Sequence, residues 1–120
     1  MAGWKDFREI AAWQHARALK IRVDGLMKKA EFNRLYRYRD QLSDAARSGP
    51  ANIAEGFKRR GKPDKARQMN IAQSSLEELR YFFILCADLS YLPTNPVGDR
   101  LDEVARMLGA YTQAILDSRP

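Results

Sequence analysis

Few side chains in this sequence of 120 residues have the type and spacing that catalysis requires. Asn52 and Glu55 lie three positions apart, so their amide and carboxylate would share one face of a helix. Such a pair can orient a water molecule, and Glu55 with Glu78 and a divalent ion would be a minimal phosphodiesterase site. Because the chain has no Glu-x-x-His pair, we instead expect Asn52 and Glu55 to hydrogen-bond to a neighbouring helix or to backbone carbonyls that a nearby proline frees.

The residue types that most often bind transition metals or assist nucleophiles are each present once, as His15 and Cys86. A single histidine cannot form a histidine metal pair or a histidine–nucleophile dyad within one chain. A single cysteine cannot form an internal disulfide, and its apolar neighbours predict a buried thiol. We therefore predict no catalytic residue, no metal ligand and no cofactor, and a protein that is not an enzyme.

The clearest functional pattern is a cluster of cations. Residues 58–67, called the basic segment below, contain one acidic residue and six basic ones: Lys58, Arg59, Arg60, Lys62, Lys65 and Arg67. This composition suits the phosphate backbone of RNA or DNA, and the segment lacks the GxxxxGK[ST] pattern of a nucleotide-binding loop. Charge is uneven along the chain, with 17 Lys and Arg against 8 Asp and Glu in residues 1–67 (+9) and 4 against 7 in residues 68–120 (−3). A polyanionic partner is therefore expected.

Apolar residues recur every three or four positions along most of the chain, which predicts amphipathic helices. Asp6 and Glu9 form a capping-box pattern before the first helix, and Asn95-Pro96 suits the start of the last one. Short connections between the helices predict an all-α, antiparallel up-down-up-down four-helix bundle. We expect one domain over residues 1–120, with helices at about residues 7–29, 34–60, 64–90 and 96–117.

Gly49-Pro50 interrupts the pattern of the second helix. Proline has no backbone N–H, and its ring collides with the carbonyl four residues earlier, which costs about 3 kcal/mol in a helix interior. Since Ile53 and Phe57 continue the apolar stripe, we expect one helix kinked at Pro50 rather than two separate helices. The small residues around Pro50, among them Gly56, would allow a neighbouring helix to approach closely.

The third helix is too apolar for one bundle to cover. From Tyr81 onward, Phe82, Ile84 and Leu85 add apolar residues outside the core stripe. A helix that is apolar on every side must be covered on every side. The sequence therefore predicts a partner subunit, and with it a homo-oligomer.

No stretch of the chain has the length of a membrane span. The longest apolar run, Tyr81–Ala87, is far shorter than the roughly 20 residues that a spanning helix needs. The first residues also lack the pattern of a secretory signal. We expect a cytoplasmic protein without a membrane partner.

The segment from Ser48 to Phe57 resembles the S-x-PANIAEGF signature of the four-helix-bundle proteins encoded in intervening sequences of bacterial 23S rRNA genes. Trp13-Gln14 and the block from Ile71 to Leu79 are similar to two further motifs of that family. The resemblance covers about residues 7–115 and implies an antiparallel bundle that forms a ring-shaped homopentamer. It brings no catalytic residue, and its structural signature falls on four positions: Pro50, Asn52, Glu55 and Gly56.

A relative of that family, the accessory protein of diversity-generating retroelements, has the same architecture and a basic surface. It binds a reverse transcriptase and nucleic acid, so the resemblance implies a nucleic-acid or protein partner. Ser43 and Asp44 stand where the family usually has two basic residues. The middle of the second helix is therefore a weaker candidate contact than the basic segment.

Two functions follow from these observations. The first is a non-enzymatic, pentameric nucleic-acid-binding or adaptor protein whose basic segment contacts RNA or DNA phosphates. The second is a scaffold for a polymerase or another protein, in which the basic surface recognises an acidic partner and no nucleic acid is bound directly.

Overall fold

The computed structural model describes residues 4–92 and 96–118. Those residues form four α-helices and two short 3-10 helices, Phe7–Glu9 and Ala30–Asn33, and contain no strand. The prediction of an all-α protein with four helices is confirmed. The α-helices are α1 (Ala11–Met27), α2 (Tyr36–Phe57), α3 (Lys62–Asp88) and α4 (Gly98–Asp117).

The first helix starts later than predicted. Asp6 accepts a hydrogen bond from the Arg8 N–H at 2.8 Å, and Glu9 accepts one from the Asp6 N–H at 3.0 Å. This capping box caps the N-terminus of the 3-10 helix Phe7–Glu9 rather than that of α1. Ile10 then has extended backbone angles, φ −79° and ψ 121°, and its side chain is buried. The extended backbone at Ile10 directs its side chain into the core, so α1 begins only at Ala11.

The connection between α1 and α2 contains the 3-10 helix Ala30–Asn33, which buries Phe32 in the core. As a result α2 begins at Tyr36 rather than near residue 34, and it continues as α-helix to Phe57 with Pro50 inside it. The residues from Lys58 to Gly61 form the connection to α3.

The last two helices also shift by about two residues. Helix α3 begins at Lys62 because Pro63 is tolerated in a first helical turn, where its missing N–H would have no intrahelical partner. It ends at Asp88, shortly before Ser90 takes a positive φ of 62°. Pro96 precedes α4 rather than opening it, and the expected N-cap Asn95 lies outside the described residues.

The four helices share one apolar core in an elongated molecule of 50 × 21 × 19 Å. Helix α1 contacts α2 and α4, and α3 contacts the same two helices. Burying a side chain such as Leu or Phe contributes about 1.5–3 kcal/mol, so this core holds the four helices against one another. The largest fully buried side chains include Phe32, Phe83, Ile10, Leu19, Leu42, Ile53, Leu79, Leu101, Leu108 and Ile115.

Candidate nucleic-acid interface

The basic segment begins where α2 ends. The N–H of Lys58 donates to the carbonyl of Glu55 at 3.2 Å, and the N–H of Arg59 donates to the carbonyl of Gly56 at 3.1 Å. The chain then turns at Gly61, whose φ of +82° lies in the region that glycine adopts without a steric penalty. Helix α3 begins at the next residue, Lys62, so Lys58, Arg59 and Arg60 lie on a tight turn between the two helices.

Lys65 lies over the end of α2. Its Nζ donates to the carbonyl of Phe57 at 2.7 Å and lies 3.4 Å from the carbonyl of Gly56. The same ammonium lies 5.5 Å from the centre of the Phe57 ring. Partial burial lowers the pKa of Lys65. The last carbonyls of a helix lack intrahelical donors and carry partial negative charge, so Lys65 caps α2.

Lys62 reaches a second helix end. Its Nζ lies 3.4 Å from the carbonyl of Leu116, in the last turn of α4. This long hydrogen bond joins the start of α3 to the end of α4. Two of the six predicted phosphate ligands, Lys62 and Lys65, therefore also hold the bundle end together.

The other four basic residues of the segment point into solvent: Lys58, Arg59, Arg60 and Arg67. In residues 4–92 and 96–118, the side chains of Arg59, Arg60 and Arg67 have no hydrogen bond or ion pair. Lys58 contributes to the field at Asp6, whose pKa is lowered to about 2 chiefly by hydrogen bonds from Arg8 and least by the Lys58 charge. The guanidinium groups are thus available to an external anion.

The signature residue Asn52 is bound inside the bundle. Its Nδ2 donates to the carbonyl of Ser48 at 2.8 Å and to the Ser48 hydroxyl at 3.0 Å. The hydroxyl of Ser75 on α3 lies 2.7 Å from Ser48 Oγ and 3.1 Å from the carbonyl of Ile71. These contacts form a chain of polar groups from α2 to α3. The carbonyl that Pro50 deprives of a donor belongs to Ala46, so Asn52 bonds to a different carbonyl from the one expected.

Glu55 lies apart from this chain of hydrogen bonds. The Nε2 of Gln68, a buried residue of α3, donates a long hydrogen bond of 3.4 Å to a carboxylate oxygen of Glu55. Glu78 lies ten residues beyond Gln68 on α3, about 15 Å along the helix axis. The structure therefore does not bring the carboxylates of Glu55 and Glu78 together in one chain.

Gly56 marks a close approach of α2 to α3. A Cβ atom at Gly56 would lie 2.8 Å from Cβ of Gln68 and closer still to Cε of Met69. By contrast, a Cβ at Gly49 would meet Leu76 Cδ2 at 3.8 Å, an ordinary contact distance. The predicted packing role of small residues is thus strict at Gly56 and loose at Gly49.

The residue types associated with catalysis are dispersed. Cys86 is buried, and burial raises the pKa of its thiol, which disfavours a reactive thiolate. The His15 ring lies 3.5 Å from a Glu103 carboxylate oxygen, across the contact between α1 and α4. Over the described ranges, no three His, Cys, Asp or Glu residues cluster in a way that could hold a metal ion. No described helix is long and apolar enough to cross a membrane.

Two features of the surface escaped the sequence patterns. The caps made by Lys65 and Lys62 were missed because they depend on which helix ends lie close together in the folded chain. A sequence signal for such a cap does exist: a basic residue in the first turn of a helix that directly follows a tight turn. A groove of about 510 Å³ between α1 and α2, lined by Trp13, Ile21 and Pro50, was also missed. Its signal was Ile21, an apolar residue outside the core stripe of α1.

The sequence was compared with known proteins. Among curated proteins, no significant match is found. A family model described as 23S rRNA-intervening sequence protein matches residues 8–110, which includes α1, α2, the basic segment, α3 and most of α4. That match covers far more than half of the chain, and the four-helix fold agrees with the resemblance at Ser48–Phe57. The chain therefore belongs to the 23S rRNA-intervening sequence protein family.

Proposed function

We propose that this protein is a non-enzymatic, homo-oligomeric nucleic-acid-binding or adaptor protein that contacts the phosphates of RNA or DNA through its basic segment. The observation that carries the proposal is a group of three exposed arginines that have no partner among the described residues: Arg59 and Arg60 on the connection between α2 and α3, and Arg67 in the second turn of α3. Lys58 adds a fourth exposed cation. Lys62 and Lys65 add positive charge nearby while they donate hydrogen bonds to carbonyls in the last turn of α4 and at the end of α2, respectively.

Arginine suits this role because its planar guanidinium donates two parallel hydrogen bonds to phosphate oxygens. Contacts of this kind fix position on the nucleic acid without reading its bases. Each phosphate that is neutralised releases condensed counterions, so affinity falls steeply as salt rises. The proposed activity is therefore binding with strong salt dependence and little sequence preference.

We further propose that the bundle is antiparallel, up-down-up-down, with α2 bent at Pro50, and that it assembles into a ring-like homopentamer. Support for the helix directions comes from paired positions, since Ser48 lies opposite Ser75 while the earlier Tyr38 contacts the later Tyr91, with ring centres 5.4 Å apart. Support for assembly comes from the end of α3, where Tyr81 and Ile84 are exposed in the single chain, as is Leu89 directly after the helix. A ring repeats the basic segment at one end, and linked weak sites gain avidity without new contacts.

The test is salt-dependent binding of a structured RNA and of a DNA duplex by an Arg59→Gln/Arg60→Gln/Arg67→Gln variant. Losing three phosphate contacts per subunit should weaken binding at least tenfold and lower the salt slope by about 3 per bound subunit. The matched control is Lys28→Gln/Lys29→Gln/Arg34→Gln, which removes the same charge from exposed positions at the opposite end of α2. This control should change binding and slope much less.

Equal losses in the two variants would show that net charge alone governs binding, and would overturn the basic segment as the site. Absence of RNA and DNA binding by the intact oligomer would favour the alternative, a scaffold for a polymerase or another protein. That alternative predicts a stoichiometric protein complex that survives nuclease treatment.

A further inference from the structure

The groove between α1 and α2 combines aromatic, apolar and cationic side chains. Three residues of α1 at intervals of four positions line it from one side: Trp13, Arg17 and Ile21. From α2 it is lined by residues at intervals of three and four positions: Arg47, Pro50 and Ala54. The groove has a volume of about 510 Å³, and among the described residues none of those that line it is acidic. Its size lies within the range of about 300–1,000 Å³ that is usual for ligand sites.

Trp13 is held in one orientation at an end of this groove. Its ring packs edge-to-face against Phe7, with ring centres 5.0 Å apart and ring planes at 69°. Both side chains are only half-buried, so the indole keeps solvent-accessible surface where it lines the groove. Ile21, at the other end of the row on α1, is 55% exposed. A fixed aromatic ring beside exposed apolar surface is a platform on which another planar group can stack.

Two arginines of the groove, one on each helix, are available to an anion. Arg17 is exposed and, within residues 4–92 and 96–118, forms no hydrogen bond or ion pair. Arg47 is 67% exposed and lies 3.8 Å from the carboxylate of Asp44, a surface ion pair that contributes little and is readily exchanged for another anion. Lys20, by contrast, is bonded to Asp24 at 2.8 Å. Arg17 and Arg47 can therefore each bind a phosphate.

The groove leads into the basic segment. Lys58 follows Ala54 by four residues, so it continues the row of α2 residues that line the groove. At the same end, Phe7 lines the groove from the 3-10 helix Phe7–Glu9, which packs against α2. The distance from Arg47 to Lys58 is about 16 Å along the axis of α2. A strand that runs along the groove therefore passes the arginines and reaches the basic segment.

We propose that the groove between α1 and α2 binds unpaired nucleotides of an RNA or DNA strand whose neighbouring phosphates lie on the basic segment. This inference rests on the proposed nucleic-acid binding and names the class of nucleic acid that is preferred. A base packs against Trp13 and the apolar floor, and Arg17 and Arg47 bind the adjacent phosphates. Stacking on an aromatic ring accepts any base, so the groove selects single strands without selecting sequence.

The lining favours a single strand over a duplex and over an acidic protein segment. In a duplex the neighbouring bases cover both faces of each base, so only an unpaired base has a face to offer to Trp13. The cations also continue past the lined groove, onto the turn that carries Lys58, Arg59 and Arg60. A strand with one charge per nucleotide suits that path, whereas an acidic amphipathic helix would leave its apolar face uncovered there.

The groove is separate from the surface that supports assembly. The exposed apolar residues Tyr81 and Ile84 lie near the end of α3. Helix α3 contacts α2 and α4, whereas the groove lies between α1 and α2. A strand in the groove is therefore compatible with the proposed homo-oligomer, and a folded variant of the groove should keep the oligomeric mass of the wild type.

Fluorescence of Trp13 tests whether a base reaches the groove. The chain has two tryptophans, so Trp13 is the only one in a Trp4→Phe variant. The probes are a thymidine oligomer of about 12 nucleotides and a blunt DNA duplex of the same length, compared at equal salt. The single strand should quench the indole fluorescence and bind at least about fivefold more tightly than the duplex, which should leave the fluorescence unchanged.

Two pairs of variants locate the effect in the groove. Trp13→Leu should weaken binding of the single strand about tenfold and leave duplex binding unchanged, whereas Trp4→Leu removes the tryptophan outside the groove and should change neither. Arg17→Gln alters an exposed side chain and should keep the fold. It should lower the salt slope for the single strand by about 0.7 per bound subunit. Its control, Arg22→Gln, changes an exposed arginine of α1 outside the groove and should lower the slope much less.

Several results would remove the groove as a nucleotide site while leaving the basic segment as proposed. One is equal affinity for single strand and duplex, and another is unchanged Trp13 fluorescence with the strand bound. A fall in oligomeric mass in Trp13→Leu with unchanged helix content would show that a second copy covers the groove. Quenching of Trp13 by an acidic amphipathic peptide and not by the strand would assign the groove to a protein partner. Absence of binding to either nucleic acid would instead overturn the proposed function itself.

Discussion

Two consecutive stretches of the chain, the signature residues 48–56 and the basic segment, differ in where their side chains find partners. In the first, Asn52 bonds within the bundle and Gly56 allows α3 to approach. In the second, Arg59 and Arg60 have no partner within the described ranges. Residues 48–56, which carry the family signature, thus mainly hold the helices together. The basic segment, which is less distinctive in sequence, has side chains that remain available to a ligand.

The physical reason is the position of each stretch along α2. Polar groups in the middle of a packed helix are cut off from water, so each must find a partner inside the protein or between subunits. Cations at a helix end remain hydrated and cost little when unpaired. A surface cluster such as Arg59, Arg60 and Arg67 therefore persists without stabilising the fold, which is consistent with selection for binding.

The largest expected effect is at Gly56. Gly56→Ala forces α2 and α3 apart and should destabilise the protein by about 1–3 kcal/mol, as overpacked cores do. Gly49→Ala is the matched control, because its Cβ meets only an ordinary contact and the helix gains up to about 1 kcal/mol. Denaturant unfolding of both variants measures the difference. Equal stabilities would contradict the close approach at Gly56.

A smaller effect is expected at Asn52. Asn52→Ala removes two hydrogen bonds to Ser48 and should lower the free energy of unfolding by about 1–2 kcal/mol relative to Asn70→Ala. Asn70 is exposed on α3 without a described hydrogen bond, so it controls for the change in helix propensity. Nucleic-acid binding by the folded Asn52→Ala variant should equal that of the wild type. A binding defect without a stability defect would move Asn52 from architecture to ligand contact.

The smallest effect concerns Lys58, the one exposed cation of the basic segment that acts on another residue. Arg8→Ala should return the pKa of Asp6 from about 2 towards 3.8, whereas Lys58→Ala should move it only slightly. NMR titration of the Asp6 carboxyl measures both. A large shift in Lys58→Ala would show that Lys58 is committed to Asp6 rather than to a ligand.

The same carboxyl makes stability depend on pH in a defined window. The pKa of Asp6 is lower in the folded protein than in the unfolded chain, so its contribution is complete above about pH 4 and is lost as pH falls to about 2. The difference in unfolding free energy between wild type and Asp6→Asn should therefore shrink over that range. A difference that stays constant from pH 5 to pH 2 would contradict the lowered pKa.

Much of the fold was predictable from the sequence because the buried side of a helix requires an apolar residue every three or four positions. Stripes such as Leu19 and Val23 on α1, or Leu79 and Phe83 on α3, are buried where a 3.6-residue repeat places them. Helix ends were predicted less well, because they depend on tertiary contacts. Ile10 is extended in order to enter the core, and Phe32 is buried by a 3-10 helix that no periodicity indicates.

The sequence predicted which residues make up the candidate site, but not which of them contact the protein and which stay free. Counting charges identified all six cations of the basic segment, since charge is a property of the sequence alone. That Lys65 caps α2 while Arg59 stays free depends on which carbonyls lie within reach of each side chain. Such distances arise only when α2 and α3 have packed together.

The cap made by Lys65 has a consequence for the thermodynamics of binding. Ordering one residue of a flexible loop costs about 1–2 kcal/mol of backbone conformational entropy, and a ligand must supply that free energy if the loop is disordered beforehand. Here the 2.7 Å bond from Lys65 to Phe57 and the turn at Gly61 order the backbone of residues 58–61 during folding. Binding then immobilises only side chains, at about 0.5–1.5 kcal/mol each. If the basic segment binds phosphate as proposed, the entropic loss on binding is therefore small, because the backbone is already ordered.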